Sequence, residues 1–225
     1  MIFVSYFIGS KNIRKPILEY DMLTAGLTGG IATGKSMVGS LFQKQGARVV
    51  EFDNLSRAVV EPPSQVLDDI ARAFGGQVLN KDGSLKRRVL RDIIFNDAKS
   101  RLLLNQIIHP AMKDLLHVRL AEIEADAPRS IVLIDTPLLY ELQWQDEIKP
   151  VILVYAPPQM QMQRLMQRDG VDMAAAQAAL SSQLPIDKKV DLSQFVIDNS
   201  GSLEQTLAQV QSTWSQLQKL SAQKS

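Results

Sequence analysis

Apolar residues along the chain fall into short unbroken runs separated by longer stretches of helical spacing. Met22 to Thr28 and Ile131 to Ile134 are continuous enough to read as buried parallel strands. Ala47 to Phe52, Val151 to Tyr155 and Phe195 to Ile197 read as three more. Between them, Met37, Val38, Leu41 and Phe42 share one helical face, and Gly46 supplies a stop. Val66, Leu67 and Ile70 predict a helix opened by Pro62-Pro63-Ser64 and closed at Phe74-Gly75-Gly76. Asn80-Lys81-Asp82-Gly83 is a turn or tight-hairpin signal. Leu102, Leu103, Leu104, Ile107 and Ile108 predict a buried helix ending at His109-Pro110, since the residue before a proline is biased out of the helical region. Met112, Leu115, Leu116, Leu120 and Ile123 then predict a second amphipathic helix. Residues 159–189, rich in Gln, Met and Ala, have strong helical spacing, and their glutamines read as surface. A last helix carries the stripe Leu203, Leu207, Val210, Trp214 and Leu217, opened by a Ser202/Gln205 capping box. No internal repeat is visible.

One stretch changes this outline into chemistry. Gly29-Gly30-Ile31-Ala32-Thr33-Gly34-Lys35-Ser36 fits G-x-x-x-x-G-K-[ST] and stands between the first strand and the first helix. Gly29 and Gly34 allow turns with positive φ, so that successive N–H groups face one concavity. Those donors and the positive end of the helix suit phosphate oxygens. Lys35 can reach β- and γ-phosphates, and the Ser36 hydroxyl can ligate Mg²⁺. Asp53, at the end of the second strand, is placed for a general base or metal ligand, or for capping the helix that follows. Asp135 ends the third strand, where it can organise Mg²⁺ or cap the turn at Thr136-Pro137. Lys86, Arg87, Arg88 and Arg91 form a basic run, either a solvated face or a contact for an anionic substrate. His109 reads as a structural cap or a catalytic group.

Composition narrows the choices. The 225 residues are 45% hydrophobic and 22% charged, ordinary for a soluble globular chain. A net charge of +1 gives no global field to attract nucleic acid or an anionic membrane. The absence of cysteine excludes disulfides, thiolate catalysis and Cys-based zinc sites. Met1 to Ile8 is mostly apolar but too short to span a membrane. Because Met22 directly precedes the first strand, residues 1–21 are expected to be a dispensable extension, disordered or the product of a misassigned start.

With the order of elements in view, the sequence resembles the dephospho-CoA kinase family from about Leu23 to about Gly201. The likeness rests on Leu27 to Ser36, Asp53 with Arg57 and Val60-Glu61-Pro62, Asp82-Gly83-Ser84-Leu85 with Arg87, and His109-Pro110. It continues through Pro137-Leu138-Leu139-Tyr140-Glu141, the Arg164/Arg168 helix and Ile197-Asp198-Asn199-Ser200-Gly201. The resemblance implies a three-layer α/β/α P-loop fold with a five-stranded parallel sheet. Core segments 22–53, 128–158 and 190–225 would carry a helical acceptor-binding insertion at 54–127 and a lid at 159–189. It implies ATP, with Mg²⁺, phosphorylating the ribose 3′-hydroxyl of dephospho-CoA. Asp53 would be the base, with Lys35, Arg164 and Arg168 neutralising charge on the moving phosphoryl group. Gly29 to Ser36 and Asn199 would hold the nucleotide. Thr28, Asp53, Arg57, Arg87, His109, Pro137 and Leu138 would hold the acceptor. The implied enzyme is cytoplasmic, a monomer or weak homo-oligomer, with small-molecule partners and neither nucleic acid nor membrane. A kinase for another nucleoside or nucleotide and a non-catalytic nucleotide-binding regulator are the alternatives. Three positions depart from the family pattern: Glu51 in Glu51-Phe52-Asp53, Ser193-Gln194 before the fifth strand, and Ala179 a turn before Gln183.

Overall fold

Strand β1 (Leu23–Gly29) is buried at every position because strands flank it on both sides and helices cover both faces. The structure, a computed structural model, describes residues 16–95 and 97–224. Its single sheet joins β1 to β2 (Arg48–Glu51), β3 (Ile131–Asp135), β4 (Val151–Tyr155) and β5 (Phe195–Asp198) in the order β2-β3-β1-β4-β5, all parallel. Parallel neighbours cannot be joined by hairpins, so helical crossovers supply both outer layers.

Alternation along the strands divides the core in two. Leu23, Ala25 and Leu27, with Leu133, Ile152 and Val154, pack against Val38 and Phe42 of α1 (Lys35–Lys44). Val210, Trp214 and Leu217 of α9 (Leu203–Lys224) complete that face. The opposite face sets Val132, Ile134 and Val151 against Met112, Leu116 and Leu120 of α5 (Ala98–Asp126), and against Trp144 and Ile148. A third cluster of Val60, Ile70, Val78, Leu90 and Leu104 joins α3 (Gln65–Phe74), α4 (Arg87–Phe95) and the start of α5. Between β4 and β5 lie α6 (Pro158–Asp169), α7 (Met173–Ser181) and α8 (Ile186–Leu192). No helix among the described residues is long and apolar enough to cross a membrane.

Four expectations need correction. Asp97 caps a single helix that runs unbroken from Ala98 to Asp126 with Pro110 inside it, so no helix ends at His109. Leu102 and Leu103, expected in the core, are 60% and 41% exposed, and Leu104 alone of that triplet is buried. The second strand stops at Glu51, and Phe52 already begins α2 (Phe52–Ala58), where Asp53 stands in the first turn. A helix needs burial on one stripe only, and Phe52 supplies it by edge-on contact with Trp144, ring centroids 4.7 Å apart. Finally, the segment before Met22 is not all outside the fold. Ile17 and Tyr20 are 2% and 4% exposed, and the Tyr20 hydroxyl donates to the His117 carbonyl at 3.2 Å. The rest of the expected extension, residues 1–15, lies outside the described residues.

The capping box forms as the sequence predicts: Gln205 N–H donates to Ser202 Oγ at 3.3 Å, and Ser202 N–H donates to Gln205 Oε1 at 2.9 Å. Leu203 of the last stripe is exposed, and burial starts at Thr206.

Candidate active site

The carboxyl ends of the strands open onto a cavity of about 760 Å³. Gly30 to Ser36 form its floor, and Asp53, Pro137, Arg164, Gln167, Arg168 and Gln183 line the rest. The floor turns sharply because two residues adopt left-handed backbone, Gly34 at φ 90° and Ala32 at φ 58°. Gly29 does not, contrary to expectation. Its lack of a side chain serves close approach instead, since a Cβ there would lie 2.9 Å from the Val154 carbonyl oxygen and 2.7 Å from Thr33 Oγ1.

Side chains from distant elements hold this loop. Thr33 Oγ1 donates to the Gly30 carbonyl at 2.9 Å. Asn199, just past β5, donates its amide to the Thr33 carbonyl at 2.8 Å, and its own Oδ1 accepts from Thr206 Oγ1 at 3.0 Å. A Cβ on Gly34 would fall inside contact distance of that same amide nitrogen. Gln161 is 3% exposed, donates to the Ala156 carbonyl at 2.7 Å and sits against Gly30. Gln183 Oε1 accepts from Ile31 N–H at 3.0 Å. Gln159, Gln163, Gln167 and Gln177 are exposed as the composition suggests, and Gln161 and Gln183 are the exceptions: an amide both donates and accepts, which suits it to fixing a loop of exposed backbone groups.

Lys35 and Asp135 form an ion pair between the first turn of α1 and the end of β3. Burial pushes the Asp135 carboxyl above its usual range. Lys35 opposes that shift, while Glu51 and Asp53 add to it. Asp135 therefore does not cap the following turn; the Leu138 N–H there donates to Thr136 Oγ1 at 3.4 Å. A second cavity of about 170 Å³ adjoins this pair, lined by Lys35, Ser36, Glu51, Asp53 and Asp135 among others. Asp53 and Ser36 border both cavities. No trio of His, Asp or Glu among the described residues is clustered to hold a metal ion unaided. Mg²⁺ does not require one, because it keeps waters and takes substrate phosphate as ligand.

The arginines differ in their commitments. Arg164 donates to the Asn199 carbonyl at 2.9 Å and to the Thr33 carbonyl at 3.5 Å. Arg168 is exposed and holds neighbouring Asp169 through two bonds at 2.7 and 2.9 Å. Of the residues expected on the acceptor side, the structure brings Asp53 and Pro137 to the main cavity. Arg57, Arg87, His109 and Leu138 do not line it. Thr28 is fully buried, and its hydroxyl has no partner among the described residues. The departures from pattern have plain structural uses. Gln194 Oε1 accepts from Val151 N–H at 2.8 Å, Ser193 Oγ donates to the Lys189 carbonyl at 2.7 Å, and Asn54 Nδ2 donates to Glu51 Oε2 at 2.8 Å.

A family model described as dephospho-CoA kinase matches residues 23–205, from the first strand through the loop that clamps the phosphate floor. The chain belongs to the dephospho-CoA kinase family. Among curated relatives, the dephospho-CoA kinase of Syntrophotalea carbinolica is 46% identical over 84% of this chain and 89% of its own. That of Anaeromyxobacter dehalogenans is 43% identical over 81% and 86%. In three dimensions the chain resembles a Thermus thermophilus protein with a TM-score of 0.76 at 29% identity, over 87% of this chain and 98% of that one. The fold is also that of the Campylobacter jejuni dephospho-CoA kinase, with a TM-score of 0.60 at 22% identity over 88% and 99%. The matched span takes in both Lys35 and Asp53.

Proposed function

We propose that the chain transfers the γ-phosphoryl group of ATP to the ribose 3′-hydroxyl of dephospho-CoA, giving CoA and ADP. The observation that carries this is the presence of Asp53 on the same cavity as the phosphate-binding loop, within a chain of this family. The loop fits a polyphosphate: the N–H groups of Lys35 and Ser36 open a helix, have no intrahelical acceptor and border the cavity.

Phosphoryl transfer asks for positioning and neutralisation of charge more than covalent chemistry. Gly30 to Ser36 hold the β- and γ-phosphates, with Gly29 letting the loop pack against β4 and Asn199 keeping the loop in shape. Lys35 leaves Asp135 for the phosphate oxygens. Bound Mg²⁺, held by the Ser36 hydroxyl and phosphate, would neutralise charge on those oxygens. Asp53 takes the proton of the acceptor hydroxyl as the new P–O bond forms and the bond to ADP breaks. Arg164 and Arg168, on a lid spanning 159–189, add positive charge and keep water out. Arg57, Arg87 and His109, on helices of the 54–127 insertion, hold the acceptor nucleotide with Pro137 and Leu138. We place the enzyme in the cytoplasm, in keeping with its soluble substrates.

The test is a coupled ADP-release assay with ATP·Mg²⁺ and dephospho-CoA, AMP or no acceptor. Turnover dependent on dephospho-CoA, with CoA identified by mass, is expected. Faster turnover with AMP would overturn the acceptor. Asp53→Asn is expected to bind ATP normally and to lose about 100-fold or more in rate; a variant as fast as the parent would remove Asp53 from its role.

A further inference from the structure

One cation among the described residues is sealed inside the protein without bordering either cavity. Lys189, on α8, has no exposed surface. A buried ammonium is costly unless it is paired and hydrogen-bonded. Lys189 Nζ lies 2.9 Å from Glu141 Oε1 and donates to the Pro137 carbonyl at 3.3 Å. Glu141 Oε1 also accepts from Leu184 N–H at 2.9 Å. Close by, the Tyr140 hydroxyl and Ser193 Oγ are 2.5 Å apart, and Ser193 bonds the Lys189 carbonyl. The loop after β3 and the segment running into α8 are thus fastened together on either side of one ion pair.

Each fastened segment carries a wall of the main cavity. Pro137, whose carbonyl Lys189 holds, lines it. Gln183, next to Leu184, lines the same cavity and also bonds the phosphate floor at Ile31. Stability alone does not account for such a pair, because apolar residues of similar volume generally serve a buried position equally well or better. What the pair supplies is a fixed distance between two segments.

We propose that the Lys189–Glu141 pair is a positioning device that sets the spacing of Pro137 and Gln183 and so fits the cavity to its acceptor. This rests on the kinase reading above. Lys189 borders neither cavity.

The experiment compares Glu141→Gln, which keeps the shape and an acceptor for Leu184, with the apolar double variant Lys189→Met/Glu141→Leu. KM for dephospho-CoA is expected to rise about tenfold in both. KM for ATP should stay within about twofold, and the double variant should melt no lower than the parent. A merely structural pair would move the melting temperature and leave the acceptor KM alone. Parental acceptor KM in a folded variant, or an equal rise for ATP, would overturn the proposal. A parent that never turns over dephospho-CoA would sink the kinase reading and this proposal with it, whereas an active parent with indifferent variants sinks this proposal alone.

Discussion

His109 is half-buried on α5, and burial holds its imidazole below the ordinary value of 6.5. The folded chain therefore binds fewer protons there than the unfolded chain as the solution is acidified. The stability this neutral ring contributes is whole above pH 6.5 and is lost as the pH falls through the folded value. Urea unfolding at about pH 7.5 and about pH 5.5 should show the parent weaker at the lower pH, and His109→Gln should lose part of that difference. At the loop, single residues act by what they lack. Gly34 is required twice, by its left-handed backbone and by the Asn199 amide that occupies the place of a Cβ. Gly29 is required by close approach alone, to Thr33 within the loop and to Val154 of β4. The motif spacing announces both glycines but cannot separate these reasons, since neither Asn199 nor Val154 is near in sequence.

Among the elements, α5 breaks the local rules most plainly. Pro110 has no N–H for the carbonyl four residues earlier, at Gln106, and its ring crowds that turn. The helix nevertheless continues because it is gripped at both ends. Leu104 lies in the cluster with α3 and α4, Met112, Leu116 and Leu120 lie under the sheet, and Ile108 touches both. Local rules are broken mostly at functional sites. Pro110→Ala is expected to raise unfolding free energy by about 1–3 kcal/mol in urea titration, while raising KM for dephospho-CoA by disturbing His109 on the same turn. This element also marks where the sequence stopped being legible. The strands could be read because parallel strands buried on both faces leave continuous apolar runs, and the phosphate loop because its spacing is nearly unique. A proline reads as a stop, and only long-range packing says otherwise. Gln161, Gln183 and Lys189 escaped for the same reason: polar residues on helices look solvated until the partner elements are in place.

For the whole molecule, ligand binding and folding are linked, since the phosphate loop draws on β1, β3, β5 and α6 together. ATP·Mg²⁺ at a hundredfold its dissociation constant should add about 2.7 kcal/mol, which for a chain of this size is about 5–11 °C in melting temperature. Differential scanning fluorimetry should show the shift in the parent and little of it in Lys35→Met. The same assembly bears on synthesis. Thr33 and the amide that fastens it are 166 positions apart. On the ribosome the loop emerges early and its fastening late, so the nascent chain carries an unfinished phosphate site through most of its translation. Competence to bind nucleotide is expected only after β5 has left the exit tunnel.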